Sequence, residues 1–186
     1  CRTSSTRTTA PTRVPAVAEP AVTGVLVEAI DAEAGSESTS GLDLARWTDL
    51  ARSVLAGMGS ERPVEMGLRF VGRTEMAQLN EQHMGHAGPT DVLSFPVDGD
   101  PRAAAGAPDG SPADDEPAVL GDVIVCPDIA AAGAAERSIP VDDELALLIV
   151  HGILHLLGWD HATTEQTAAM QAEERRLLGE HHVTTP

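Results

Sequence analysis

Lysine and tyrosine are absent from this chain, and aromatic residues make up only 2% of it. With so few rings the core must be aliphatic. The hydrophobic share of 42% across 186 residues is enough for one domain with a real core, and the chain is too short for two comfortable ones. Cysteine is scarce as well. Cys1 and Cys126 are the two present, too few for a disulfide framework, which points to a reducing cytosol. Long apolar runs are missing. The longest runs from Leu145 to Val150 and stops at His151, far short of the roughly 20 residues a membrane helix needs. Positive charge is in deficit. Arginine supplies all twelve basic residues, a sign of base composition rather than of chemistry, against 29 acids and a net charge of -17. Such a surface opposes non-specific binding of the whole chain to nucleic acid or anionic membranes, but it permits a local basic groove.

The opening stretch CRTSSTRTTAPTRVPAVA starts on Cys rather than Met and meets its first acid at Glu19. Its composition is transit-peptide-like. The plainer expectation, preferred here, is a disordered or mis-assigned N-terminal tail over residues 1–20. It has no apolar core of a secretory signal.

Further along, GVLVEAI (24–30) reads as a strand. LDLARWTDLARSVLAGMG (42–59) reads as a helix with Leu42, Trp47, Leu50, Val54, Leu55 and Met58 at helical spacing. VEMGLRFV (64–71) alternates as a strand does, TEMAQLNEQHM (74–84) reads as a helix, and DVLSFPV (91–97) as a short strand after the breaker GPT. Residues 98–118 are rich in Pro, Gly, Ala and Asp and read as a flexible acidic loop, with six acids against Arg102. VLGDVIVC (119–126) is a buried strand, and PDIAAAGAAER (127–137) a helix with Pro127 in its first turn. VDDELALLIVHGILHLLG (141–158) is apolar nearly all round and therefore a central buried helix. Gly158 can turn the chain, and Thr163 with Gln166 forms a capping box opening a last helix to about Leu178. The expected fold class is α+β, a small mixed β-sheet packed by helices over residues 24–180, with 181–186 as a tail.

What the chain has in concentration is histidine. HGILHLLGWDH places His151, His155 and His161 within eleven residues. Four apart on a helix, His151 and His155 stack on one face, about 6 Å apart along the axis, and the turn at Gly158 can bring His161 back to them. Three imidazoles on one Zn2+ leave a fourth position for water, the pattern of a catalytic rather than a closed structural site. Core histidines are the rival reading, but three in this arrangement are hard to explain by packing. Cys126 reads as packing rather than as a fourth ligand. The run nearly matches the H-E-x-x-H-x-x-G-x-x-H pattern of zinc peptidases. Position 152 is Gly, however, where those enzymes carry their general base, so peptide hydrolysis loses its mechanism. Gly152 either lets substrate approach the metal or lets the helix pack closely.

HGILHLLGWDH, GPTDVLSFP (88–96) and LGDVIVCPDIA (120–130) together resemble the YbeY family of bacterial rRNA maturation factors. The resemblance spans roughly residues 24–180, with order and spacing kept. It implies a zincin-like fold with the metal site on the central helix, and one zinc held by His151, His155 and His161. It implies endonucleolytic cleavage of single-stranded RNA, 16S rRNA 3′-end maturation and ribosome quality control in the cytoplasm. Partners would be the small ribosomal subunit and a ribosome-associated GTPase. Many members carry an arginine where this chain has Met84, and Met84 cannot hold a phosphate. Arg69 and Arg73 are the candidate substitutes, unless they are plain surface charges. Asp91 and Ser94 fall in the family motif. Asp91 either orients a metal ligand or moves a proton, or else caps the turn after Pro89, and Asp160 faces the same choice. His83 and His86 could contact phosphate or relay protons, or simply be exposed. The general base stays unassigned, and attack by water or by the RNA 2′-hydroxyl is open. A ribosome-assembly factor with a structural zinc and another zinc hydrolase are the alternatives.

Overall fold

The computed structural model describes residues 24–29, 41–58, 64–97 and 117–182. Residues 1–20, expected to be a tail, and residues 98–116 of the expected acidic loop lie outside them. Among the described residues four strands form one sheet in the order β1-β2-β4-β3. They are β1 (Gly24–Ala29), β2 (Val64–Phe70), β3 (Val92–Pro96) and β4 (Ala118–Val125). β1 and β4 run parallel to β2, and β3 runs antiparallel to β4. The sheet is therefore mixed, as expected. Ala118 already belongs to β4, so the strand claims the last residue assigned to the loop.

The described residues also form five helices: α1 (Leu44–Gly57), α2 (Arg73–Met84), α3 (Pro127–Arg137), α4 (Val141–Leu156) and α5 (Thr164–His181). The α1 helix starts at Asp43, whose carboxylate accepts the Arg46 backbone N–H at 3.1 Å. Thr163 and Gln166 make the expected capping box for α5. That helix continues past Leu178 to His181, and His182 Nε2 lies 2.8 Å from Asp143 Oδ1, so the end of the chain's last helix is tied back to the start of α4.

Alternation along the strands divides the sheet into two unlike faces. Leu68, Val123 and Ser94 are register partners and share one face; Arg69, Ile124 and Leu93 share the other. The first face meets α4. Trp47, Leu50, Val54 and Leu55 of α1 join Met66, Leu68, Phe70, Val123 and the α4 residues Leu145, Ile149, Ile153 and Leu154 in one core cluster. Each such fully buried side chain contributes roughly 1.5–3 kcal/mol. Aliphatic residues fill nearly all of it. The second face carries a smaller cluster, Val71, Met76, Leu93, Ile124 and Cys126. Cys126 is fully buried there, a packing residue as its sequence position suggests. Among the described residues no helix is long and apolar enough to cross a membrane.

Helix α4 is held on several sides, by β3 and β4 beneath it and by α1, α3 and α5 around it. It is the element from which the histidines project.

Candidate metal centre

His151 and His155 lie one turn apart on α4, their ring centroids separated by 4.6 Å. Past the helix end, Gly158 takes the left-handed conformation, φ 79°, which an L side chain tolerates poorly. The turn it makes sends the chain back. His161 then lies 5.6 Å from the His151 ring and 5.1 Å from the His155 ring, centroid to centroid. One ligand atom from each histidine lies within 4.8 Å of the others, so the three could hold a metal ion.

The outer nitrogens fix how the rings present themselves. His151 Nδ1 is 2.7 Å from Glu174 Oε1, and His155 Nδ1 is 3.1 Å from the Trp159 carbonyl oxygen. A carboxylate and a carbonyl only accept, so both Nδ1 atoms donate. In the neutral rings each Nε2 then offers a lone pair, and these two atoms face each other at 3.1 Å. Two lone pairs at that distance repel unless a positive charge lies between them. Burial first, and then His151 and His161, hold the His155 pKa below the usual imidazole range. The donor set therefore fits a metal cation.

Glu174 is the orienting carboxylate, and it was missed in the sequence. It belongs to α5, in a buried stripe with Met170 and Leu177. The signal was an acid sitting in the apolar stripe of an amphipathic helix, where charge is buried only with a partner. Asp160 has a local job, accepting the His161 backbone N–H at 2.7 Å. Asp91 likewise closes its own turn, its Oδ1 accepting from the Val92 N–H at 2.9 Å and the Thr90 hydroxyl at 3.0 Å.

Asp91 also lines a cleft of about 270 Å3 that includes His151 and His161 in its wall. Leu147, Leu148 and Met170 supply its apolar surface, with Thr167, Gln171 and Glu174 on the α5 side. Arg137 and Glu144 complete it, again without having been singled out in the sequence. Glu144 is fully buried and pairs with the Arg137 guanidinium. Burial pushes the Glu144 carboxyl above its usual range, Arg137 opposes this, and Asp91 adds to it.

Ser94 donates its hydroxyl to the Gly152 carbonyl at 3.2 Å, which ties β3 to α4. Gly152 faces the sheet. A Cβ added there would lie 2.5 Å from Val123 Cγ1 and 3.2 Å from Ser94 Oγ. The missing side chain therefore serves close helix–sheet packing, not an approach to the metal. Arg69 is not brought to the histidines. It sits on the opposite sheet face, paired with Glu75 at 3.2 Å, and the pleat that alternates β2 leaves it no route through the sheet. Arg73 opens α2, does not line the cleft and is exposed. Met84 and His86 are exposed, and the His83 ring meets Phe95 edge-on at 4.9 Å.

The family model described as Endoribonuclease YbeY matches residues 33–182. Proteins named Endoribonuclease YbeY from Salinispora tropica and Acidothermus cellulolyticus are 42% and 45% identical over 146 residues. These cover 78% of this chain and 92% and 88% of theirs. One from Mycobacterium tuberculosis is 38% identical over 149 residues, 80% of this chain and 81% of that one. The match takes in both the histidine run and the strand motif at residues 88–96, so this chain belongs to the YbeY endoribonuclease family.

Proposed function

We propose that this chain is a zinc-dependent endoribonuclease that cuts single-stranded RNA, with 16S rRNA 3′-end maturation and ribosome quality control as its cellular task. The convergence of the His151 and His155 lone pairs, with His161 closing the set, is the observation that carries the reading. Imidazole nitrogens suit zinc among other late first-row ions, and two helix positions plus a turn give the open three-ligand pattern of catalytic zinc. The same helix-plus-turn arrangement supports a zincin-like assignment. When bound, such an ion polarises a phosphodiester oxygen and lowers the pKa of water.

The protein's own residues do the rest. Glu174 and the Trp159 carbonyl hold two rings at fixed tilt and tautomer. His161, the exposed member of the three, sits at the solvent side where RNA arrives. Asp91 lines the cleft, which supports assigning it the proton transfer there, and the Ser94 hydroxyl ties β3 to α4 through the Gly152 carbonyl. Small-subunit rRNA as substrate, a ribosome-associated GTPase as partner and a cytoplasmic location complete the proposal.

The test compares wild type with His155→Ala on a labelled single-stranded rRNA 3′-end fragment, with zinc content measured on the same samples and a chelator control. Cleavage is expected only from the zinc-loaded wild type. Equal cleavage by both proteins would mean contamination. Zinc binding without any cleavage would favour a ribosome-assembly factor with a structural metal.

A further inference from the structure

We propose that Arg137 is the phosphate-binding cation of this cleft and that Glu144 is the residue that positions it. The assignment rests on the ribonuclease reading above and names the group that meets the substrate's backbone.

RNA carries a negative charge at every linkage, and a protein of net charge -17 can hold it only where cations are concentrated. Arg137 is the only arginine among the described residues that line the cleft with His151 and His161. Arg46, Arg52 and Arg176 are paired with Asp142, Asp49 and Glu173 elsewhere on the surface.

The Arg137 side chain is also aimed. Its Nε donates to the Gly133 carbonyl at 3.2 Å, one turn back in α3, and Nη2 donates to Glu144 Oε1. Two fixed points set the plane of the guanidinium and still leave part of its five-donor fork uncommitted. The pair is asymmetric. The Glu144 side chain is 1% exposed and that of Arg137 51%. The negative pole is thus sealed inside and the positive pole faces out, so an anion entering from solvent meets the cation first. Glu144 Oε2 is buried with no hydrogen-bond partner. A carboxylate kept at that cost adds little stability that a well-packed apolar side chain would not. Holding the guanidinium at the cleft wall accounts for its presence.

The test measures binding of a fluorescent single-stranded RNA 3′-end fragment by zinc-loaded protein across a salt series, with cleavage followed in parallel. Arg137→Gln is expected to weaken binding about tenfold, the loss of one charge-assisted contact. It should also flatten the slope of log affinity against log salt by about 0.7, one phosphate contact on a single strand. Arg137→Lys should recover the slope but not the full affinity, since lysine lacks the fork. Arg52→Gln, on the far helix α1, should change neither. If Arg137→Gln unfolds because Glu144 is left unpaired, the double variant Arg137→Gln with Glu144→Gln removes both charges and carries the same slope test. Wild-type affinity and slope in the Gln variant would overturn the assignment, as would equal losses in Arg52→Gln. If wild type neither binds nor cuts the RNA, the ribonuclease reading falls and Arg137's role with it. If wild type cuts and only the Arg137 effects are missing, the assignment alone falls.

Discussion

At the scale of single residues, the centre divides into what sequence spacing carries and what it cannot. His151, His155 and His161 are legible because helix period and one turn place them together within eleven residues. Glu174 is 23 residues from the ring it holds, and its role depends on how α5 crosses α4, which no local pattern encodes. Its contribution can be isolated. Glu174→Gln keeps an acceptor near His151 Nδ1 but removes the charge that makes the ring a better donor to metal. Glu174→Ala removes the acceptor altogether. Outer partners of this kind typically contribute 10–100-fold in metal affinity or activity. The Ala variant is expected to fall in that range and the Gln variant above it, read by competition with a chromophoric chelator. Equal affinity in both variants and wild type would mean that helix packing alone orients His151.

At the scale of elements, strand and helix identities follow from periodicity, and their ends move by a residue or two where caps and pairing decide. The sheet's order was not legible. The placement of β4 between β2 and β3 depends on long-range pairing, and a mixed sheet is as far as alternation and apolar runs lead. The two-face division explains why Arg69 is not brought to the histidines. In an alternating strand its neighbours Leu68 and Phe70 face the core, so it must face away from α4. Gly152 shows the reverse case, a residue whose chemistry lies in what it lacks. Gly152→Ala gains about 1 kcal/mol in helix propensity but drives a methyl group to within 2.5 Å of Val123. Val123 is fully buried and β-branched, with little rotamer freedom to yield. Overpacking of this kind costs roughly 1–3 kcal/mol. It outweighs the propensity gain, and the substitution is expected to lower the midpoint of urea unfolding despite being glycine to alanine in a helix. A raised midpoint would show that α4 can lift from the sheet at no cost.

At the scale of the whole molecule, the question is how so acidic a chain handles a polyanion. Its excess negative charge is unevenly spread along the sequence. Asp98, Asp100, Asp109, Asp114, Asp115 and Glu116 fall between β3 and β4, against Arg102 alone. Charges that make no direct contact with RNA act on it through the solvent, over a screening length of about 10 Å at 0.1 M salt and about 3 Å at 1 M. They therefore oppose encounter more than they alter the bound contact. Replacing the six acids with their amides is expected to raise the association rate several-fold at low salt and to leave it nearly unchanged at high salt, with dissociation little affected. Stopped-flow anisotropy with a single-stranded RNA, at two salt concentrations, reads both rates. A gain that persists at high salt would place these acids in direct contact with the RNA path. The expected pattern, confined to association at low salt, differs in kind from that of Arg137, whose contact is local and should be felt mainly in dissociation.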